Sequence, residues 1–189
     1  MKKLIGVLLS LALLLTLVAC GGKTETPEQA VNKGLLAIKN LDEVTMEKYF
    51  DKNVLEEQLE ENEELIDDNK ENAKLLVKHL GYEVLSSTVD GDKAVVNAKI
   101  TNVDMKEIVS EYFVKALTLA FSGKDEDVIE AELEAMMIEL LEDEDIKLIT
   151  TEVKINLNKG EDNWIIDPDE DFMNAILGDL MSIGDMFGD

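Results

Sequence analysis

Apolar positions recur at helical spacing through the early part of the chain, and strand signals begin at Gly81. Thr26-Pro27-Glu28-Gln29 marks a helix start, with Thr26 as N-cap, Pro27 in the first helical position and Gln29 closing a capping box. Val31, Leu35 and Ile38 share one face of that helix, and a second short helix is predicted over Thr45 to Phe50. From Asn53 to Leu80, Leu55, Leu59, Asn62, Ile66, Asn69, Ala73, Leu76 and Leu80 follow alternating steps of four and three. That stripe, about four heptads long, suits a helix packed on its own domain better than a coiled coil.

Period-two patterns come next. Tyr82 to Val89 and Lys93 to Val103 flank Asp90-Gly91, a tight-hairpin dipeptide, with Ala94, Val96, Ala98 and Ile100 on one face. Leu148 to Leu157 puts Ile149, Val153, Ile155 and Leu157 on one side, and Asn163 to Asp167 carries Trp164 and Ile166 beyond the turn Asn158-Lys159-Gly160. Four antiparallel strands are predicted, covered on one face and wet on the other.

A helical insertion separates the two hairpins. Asp104-Met105-Lys106-Glu107 reads as a capping box for a helix through Tyr112, Phe113 and Leu117 that stops at Ser122-Gly123. A second helix, Asp125 to Leu141, sets Ile129, Leu133, Met136, Met137 and Leu140 opposite Glu130, Glu132, Glu134 and Glu139. A last helix is predicted to start at Asp167-Pro168-Asp169-Glu170 and to use Phe172, Ile176 and Leu180, with a fraying tail after Ser182. The class is α+β, in one domain over residues 26–189, with the insertion at 104–145.

The front end reads differently. Lys2 and Lys3 precede an apolar run from Leu4 to Leu17, 14 residues, which is short of the roughly 20 a spanning helix needs. Leu17-Val18-Ala19-Cys20, followed by Gly21-Gly22, has the layout of a bacterial lipoprotein signal. Residues 1–19 are then a signal peptide, and 20–25 a lipidated Cys with its tether. Two acyl chains at about 0.8 kcal/mol per buried CH₂ hold a protein on a membrane stably. Acylation of Cys20, the only cysteine, leaves no thiol for a disulfide, a metal site or a nucleophile. The expected location is the extracytoplasmic face of the cell membrane.

Charge narrows the partners. The net charge is -24, and all 18 basic residues are lysines. So acidic a chain is repelled by nucleic acid and by anionic lipid, and no nucleic-acid partner is expected.

Candidate chemistry is sparse. His79, the only imidazole, stands at a predicted helix end, where a cationic ring would complement the dipole. Asp167, Asp169 and Asp171 have the first spacings of a calcium loop, yet Phe172 takes the place of its Gly and Gly178 that of its chelating Glu. Helix capping fits them better. Glu142 to Asp145 is an acidic run that reads as solvated linker, and Met136, Met137, Met173, Met181 and Met186 read as core. No metal and no cofactor are expected.

Helices followed by an antiparallel sheet with helices on one face resemble the cystatin-like or nuclear-transport-factor-two-like superfold. More narrowly, the chain resembles envelope lipoproteins of low-GC Gram-positive bacteria that carry such a domain. The residues behind the resemblance are the motif at Cys20, the helix start at Thr26, the hairpin ending Ile100-Thr101-Asn102-Val103-Asp104-Met105, and Trp164-Ile165-Ile166-Asp167 feeding an acidic-capped helix. It implies a curved sheet and a membrane anchor, and it carries over no catalytic residue. The expected function is non-catalytic binding of a small apolar ligand or an envelope protein. Val96, Ala98, Ile100, Val153, Ile155 and Trp164 are the inward-facing pocket candidates. An isomerase- or dehydratase-type enzyme in the same cone, and an acidic module docking a basic envelope partner, stand as alternatives.

Overall fold

A computed structural model describes residues 25–51, 53 and 70–183. The leader with Leu17, Val18, Ala19 and Cys20, residues 54–69 of the Asn53 to Leu80 stripe, and Met186 with the tail lie outside the described residues.

The capping box at Thr26 forms as expected: Gln29 N–H donates to Thr26 Oγ1 at 3.3 Å and Thr26 N–H to Gln29 Oε1 at 3.1 Å. It opens α1, Pro27–Asn40. Asp42 caps α2, Glu43–Tyr49, through Thr45 N–H, which starts that helix two residues before the predicted Thr45. Then come α3 (Lys70–Val77), β1 (Gly81–Asp90), β2 (Lys93–Val103), α4 (Met105–Ala120), α5 (Glu126–Glu142), β3 (Leu148–Lys159), β4 (Trp164–Asp167) and α6 (Glu170–Ile176).

The sheet is antiparallel throughout, in the order β1-β2-β3-β4. The insertion α4–α5 therefore elaborates the link between two neighbouring strands. Alternation matches the sequence pattern: Ala94, Val96, Ala98 and Ile100 of β2 and Val153, Ile155 and Leu157 of β3 are buried, while Glu152, Lys154 and Asn156 face solvent. Helices α1 and α6 lie on the buried face. Beyond α2, Phe50 bridges to Ile166, and Asp51 N–H donates to Ile166 O at 2.9 Å, covering part of the β4 edge.

Two details depart from expectation. The cap of α6 is Asp169, whose Oδ1 accepts Phe172 N–H at 2.9 Å, two residues after the predicted Asp167. Pro168 cannot donate and precedes the cap. The helix ends at Ile176, because Gly178 and Asp179 both take positive φ, and Leu180 packs from beyond that turn. At α4, Asp104 accepts Glu107 N–H at 3.4 Å, but the Glu107 carboxylate turns to Lys147 at 2.8 Å, so only half of the predicted box is described.

Candidate functional site

The buried residues form two clusters. The first lies between the sheet and helices α1, α2 and α6. All six pocket candidates sit there, none more than 7 % exposed. Their side chains fill the sheet–helix interface, and the reason lies in α1. A Cβ on Gly34 would stand 2.6 Å from Ile166 Cδ1 and 3.2 Å from the Phe50 ring, so the helix rides directly on the sheet. Of the six, Trp164 also borders a depression of about 300 Å³ beside Glu25, Thr26 and the β3–β4 turn.

Open space lies within the helical layer instead. A half-open cavity of about 240 Å³ is lined by Ile38 of α1, Met46 and Phe50 at α2, Ala73, Leu76 and Val77 of α3, and Phe172, Met173, Ile176 and Leu177 at α6. Every one of these side chains is apolar. A neighbouring groove of about 330 Å³ runs between Leu75 and Leu76 of α3, Met105, Val109 and Tyr112 of α4, and Leu133, Met137 and Leu141 of α5. Leu76 belongs to both walls, so α3 is the partition between them. The groove is the open side of the second cluster, which joins Val103, Ile108, Met136, Leu140 and Leu180.

One residue fixes that partition. Asn102, 3 % exposed, continues the inward series Val96, Ala98, Ile100 with a carboxamide. Its Nδ2 donates to Leu76 O at 2.9 Å and to Ile176 O at 2.6 Å, while its Oδ1 accepts Val103 N–H at 2.9 Å. Leu76 and Ile176 are both cavity-lining positions, so Asn102 ties α3 and α6 to the end of β2. The sequence signal was present, as the polar member of an alternating apolar series, but the residue served there only as part of a resemblance. Gly178 closes the same corner: Met105 N–H donates to Gly178 O at 2.9 Å, and a Cβ on Gly178 would fall 1.9 Å from Val103 O.

The remaining candidates have local roles. His79 lies past the end of α3, and its Nε2 is buried without a hydrogen-bond partner. Burial, aided by the charge of Lys78, lowers its pKa from the ordinary histidine value, which disfavours the charged ring. The same burial works against a cationic cap at this helix end. Asp169 is the α6 cap and also accepts from Asn156 Nδ2 at 3.1 Å. Asp143 and Asp145 border a small depression where Lys147 Nζ already bridges Asp104 at 3.2 Å and Glu107 at 2.8 Å. Among the described residues, no group of three or more His, Cys, Asp or Glu is placed to hold a metal ion, and no helix is long and apolar enough to cross a membrane. Met136 is core, Met137 lines the groove, Met173 lines the cavity, and Met181 packs against both clusters.

At the N-terminal edge, Glu25 Oε1 accepts from Tyr49 OH at 2.8 Å and from Lys33 Nζ at 2.5 Å. The Lys33 pKa is raised, chiefly by this bond to Glu25. These contacts fix where the chain enters the fold, beside the β3–β4 turn.

Comparison with protein-family models, with curated proteins and with solved structures gives no match for this chain.

Proposed function

We propose that this protein is a lipid-anchored extracytoplasmic module that binds without catalysis, holding a small apolar ligand in the cavity between α1, α2, α3 and α6. The anchor is Cys20 and the location is the outer face of the cell membrane. The observation that carries the binding reading is the lining of that cavity, ten side chains with no polar member. A dry apolar cavity of about 150 Å³ is enough to take up benzene. One of about 240 Å³ has room for a single ring or a short branched chain. Met46 and Met173 on the wall add the adaptability of unbranched thioethers.

The anchored reading has an orientational consequence. Glu25 and Thr26 enter the fold at the β3–β4 turn. The eleven-pair β2–β3 ladder runs from Lys93↔Asn158 at that end to Val103↔Leu148 at the other, roughly 34 Å away. A short tether from Cys20 would hold the first end near the membrane and leave the root of α4–α5 at the far end.

The test is a thermal melt of the full mature chain against a panel of single-ring and short-alkyl compounds, on wild type and Ala73→Leu. Ala73 lines the cavity, so the larger side chain fills it. A hit should raise the wild-type Tm, and the filled variant should lose that response while melting at or above the unliganded wild type. A panel without hits, or hits that survive in Ala73→Leu, would move the binding function away from this cavity.

A further inference from the structure

We propose that the outer face of α4 docks a cationic amphipathic helix of a partner protein. The inner face of α4 is accounted for: Met105, Ile108, Val109, Tyr112 and Leu119 belong to the second hydrophobic cluster. A helix with one such stripe normally turns charged residues to solvent on the other side. Here the outer side carries Val114 at 65 % exposure and Leu117 at 45 %, continued at the C-cap by Phe121 at 87 %, in i, i+3, i+7 spacing. The hydroxyls on that side add little polarity, because Ser110 Oγ donates to Lys106 O at 2.6 Å and Thr118 Oγ1 to Val114 O at 3.0 Å, within the helix itself. Beside the series, a shallow groove of about 440 Å³ opens between α4 and α5, with Val114, Leu119, Ala135 and Met136 among its lining. An exposed apolar stripe at i, i+3 and i+7 is what one helix presents to another when two helices pack side by side.

Charge selects the occupant. Between Asp104 and Asp145 there are fourteen carboxylates and three lysines. Each lysine is already engaged: Lys106 with Asp179 at 2.6 Å, Lys115 with Glu111 at 2.9 Å and Lys124 with Glu132 at 2.6 Å. Glu139, Lys115 and Glu132, the last held by Lys124, stand at the groove itself, and the surplus of carboxylates is spread over the two helices and the segments flanking them. A second copy would bring the same fourteen carboxylates against these, and an anionic membrane surface would be repelled likewise. A helix with an apolar stripe flanked by Lys or Arg meets both the apolar anchors and the acidic border.

The experiment uses the full mature chain and three synthetic helices of about five turns. One has a leucine stripe with lysines elsewhere, one the same stripe with glutamates, and one the leucine–lysine composition scrambled. Binding is measured by fluorescence anisotropy at about 0.15 M salt and again at about 0.5 M. The striped cationic helix should bind wild type, weaken about tenfold or more in Leu117→Ser/Phe121→Ser, and weaken again with salt. The acidic helix should not bind. Equal binding of the striped and scrambled cationic peptides, or equal binding to wild type and the double variant, would overturn the proposal by reducing it to bulk charge. So would a concentration-dependent dimer, or adsorption to phosphatidylglycerol vesicles, that the double variant abolishes. The α4 substitutions are on residues outside the α1–α2–α3–α6 cavity, so an unchanged ligand-induced Tm shift shows that the fold and the cavity reading stand whatever the peptides do.

Discussion

Asn102→Ala removes three hydrogen bonds at once, two from Nδ2 to Leu76 O and Ile176 O and one to Oδ1 from Val103 N–H. Each such bond contributes about 1 kcal/mol net, and an orphaned buried carbonyl or amide costs about 1–3 kcal/mol. The expected loss is about 3–5 kcal/mol, a large share of the roughly 5–15 kcal/mol that holds a domain of this size. In a thermal melt that corresponds to a fall of roughly 10 °C. Asn102→Asp is the sharper variant, since it keeps the shape and turns an acceptor toward two carbonyl oxygens. It should be at least as destabilised near pH 7 and recover in part once the carboxyl is protonated. Asn97→Ala is the control: its carboxamide is half-exposed and, among the described residues, donates to Ser86 Oγ at 3.1 Å, so less than about 0.5 kcal/mol should be lost. Urea unfolding of the four proteins, with unchanged m-values, gives the comparison. An Asn102→Ala protein within about 1 kcal/mol of wild type would refute the view that this carboxamide holds the helical layer in place.

Other consequences are open to the same methods. Gly178→Ala should abolish stable folding or cost more than about 3 kcal/mol, because φ is +63° and the added carbon meets Val103 O; a circular-dichroism melt checks it. His79 should titrate below the ordinary histidine range in a proton NMR series, unambiguous because the chain has one imidazole. Its pKa is depressed on folding, so stability is full above that range and falls as the pH drops through it, and His79→Gln should flatten this slope. Asp179 is lowered chiefly by Lys106, Glu28 by Ser87 and Asp42 by Thr45. These groups stabilise the fold above the ordinary carboxylate range, and that contribution is lost as the pH falls through it. Asp179→Asn, which tolerates the positive φ, should show a shallower acid limb in pH-dependent urea melts.

The α+β class, the four strands and the two-helix insertion were legible because alternation and helical spacing are strong local signals. Thr26, Asp104 and Asp169 show where boundaries are written in cap chemistry and where they slip by two residues. Several Asp in a row at 167–171 each offer a cap, and only the fold decides which amide is in reach. The pocket was harder to see. Inward-facing residues on a strand look the same whether they line a cone or meet a helix, and Gly34, which lets α1 close onto the sheet, carries no periodic signature. The cavity lies among helices α1, α2, α3 and α6, whose contacts are between segments far apart in sequence. His79 was read from its position at a helix end. Its partial burial, which disfavours the charge that reading required, is a tertiary fact.

The most direct test of an anchored, ligand-holding module is native mass spectrometry of protein extracted from membranes in mild detergent, for wild type and Ala73→Leu. The account predicts a chain that starts at Cys20 and carries the added mass of a diacylglyceryl group on it, with a non-covalent adduct on wild type that the cavity-filled variant lacks. A bare thiol at Cys20, or identical adducts on both proteins, would contradict it.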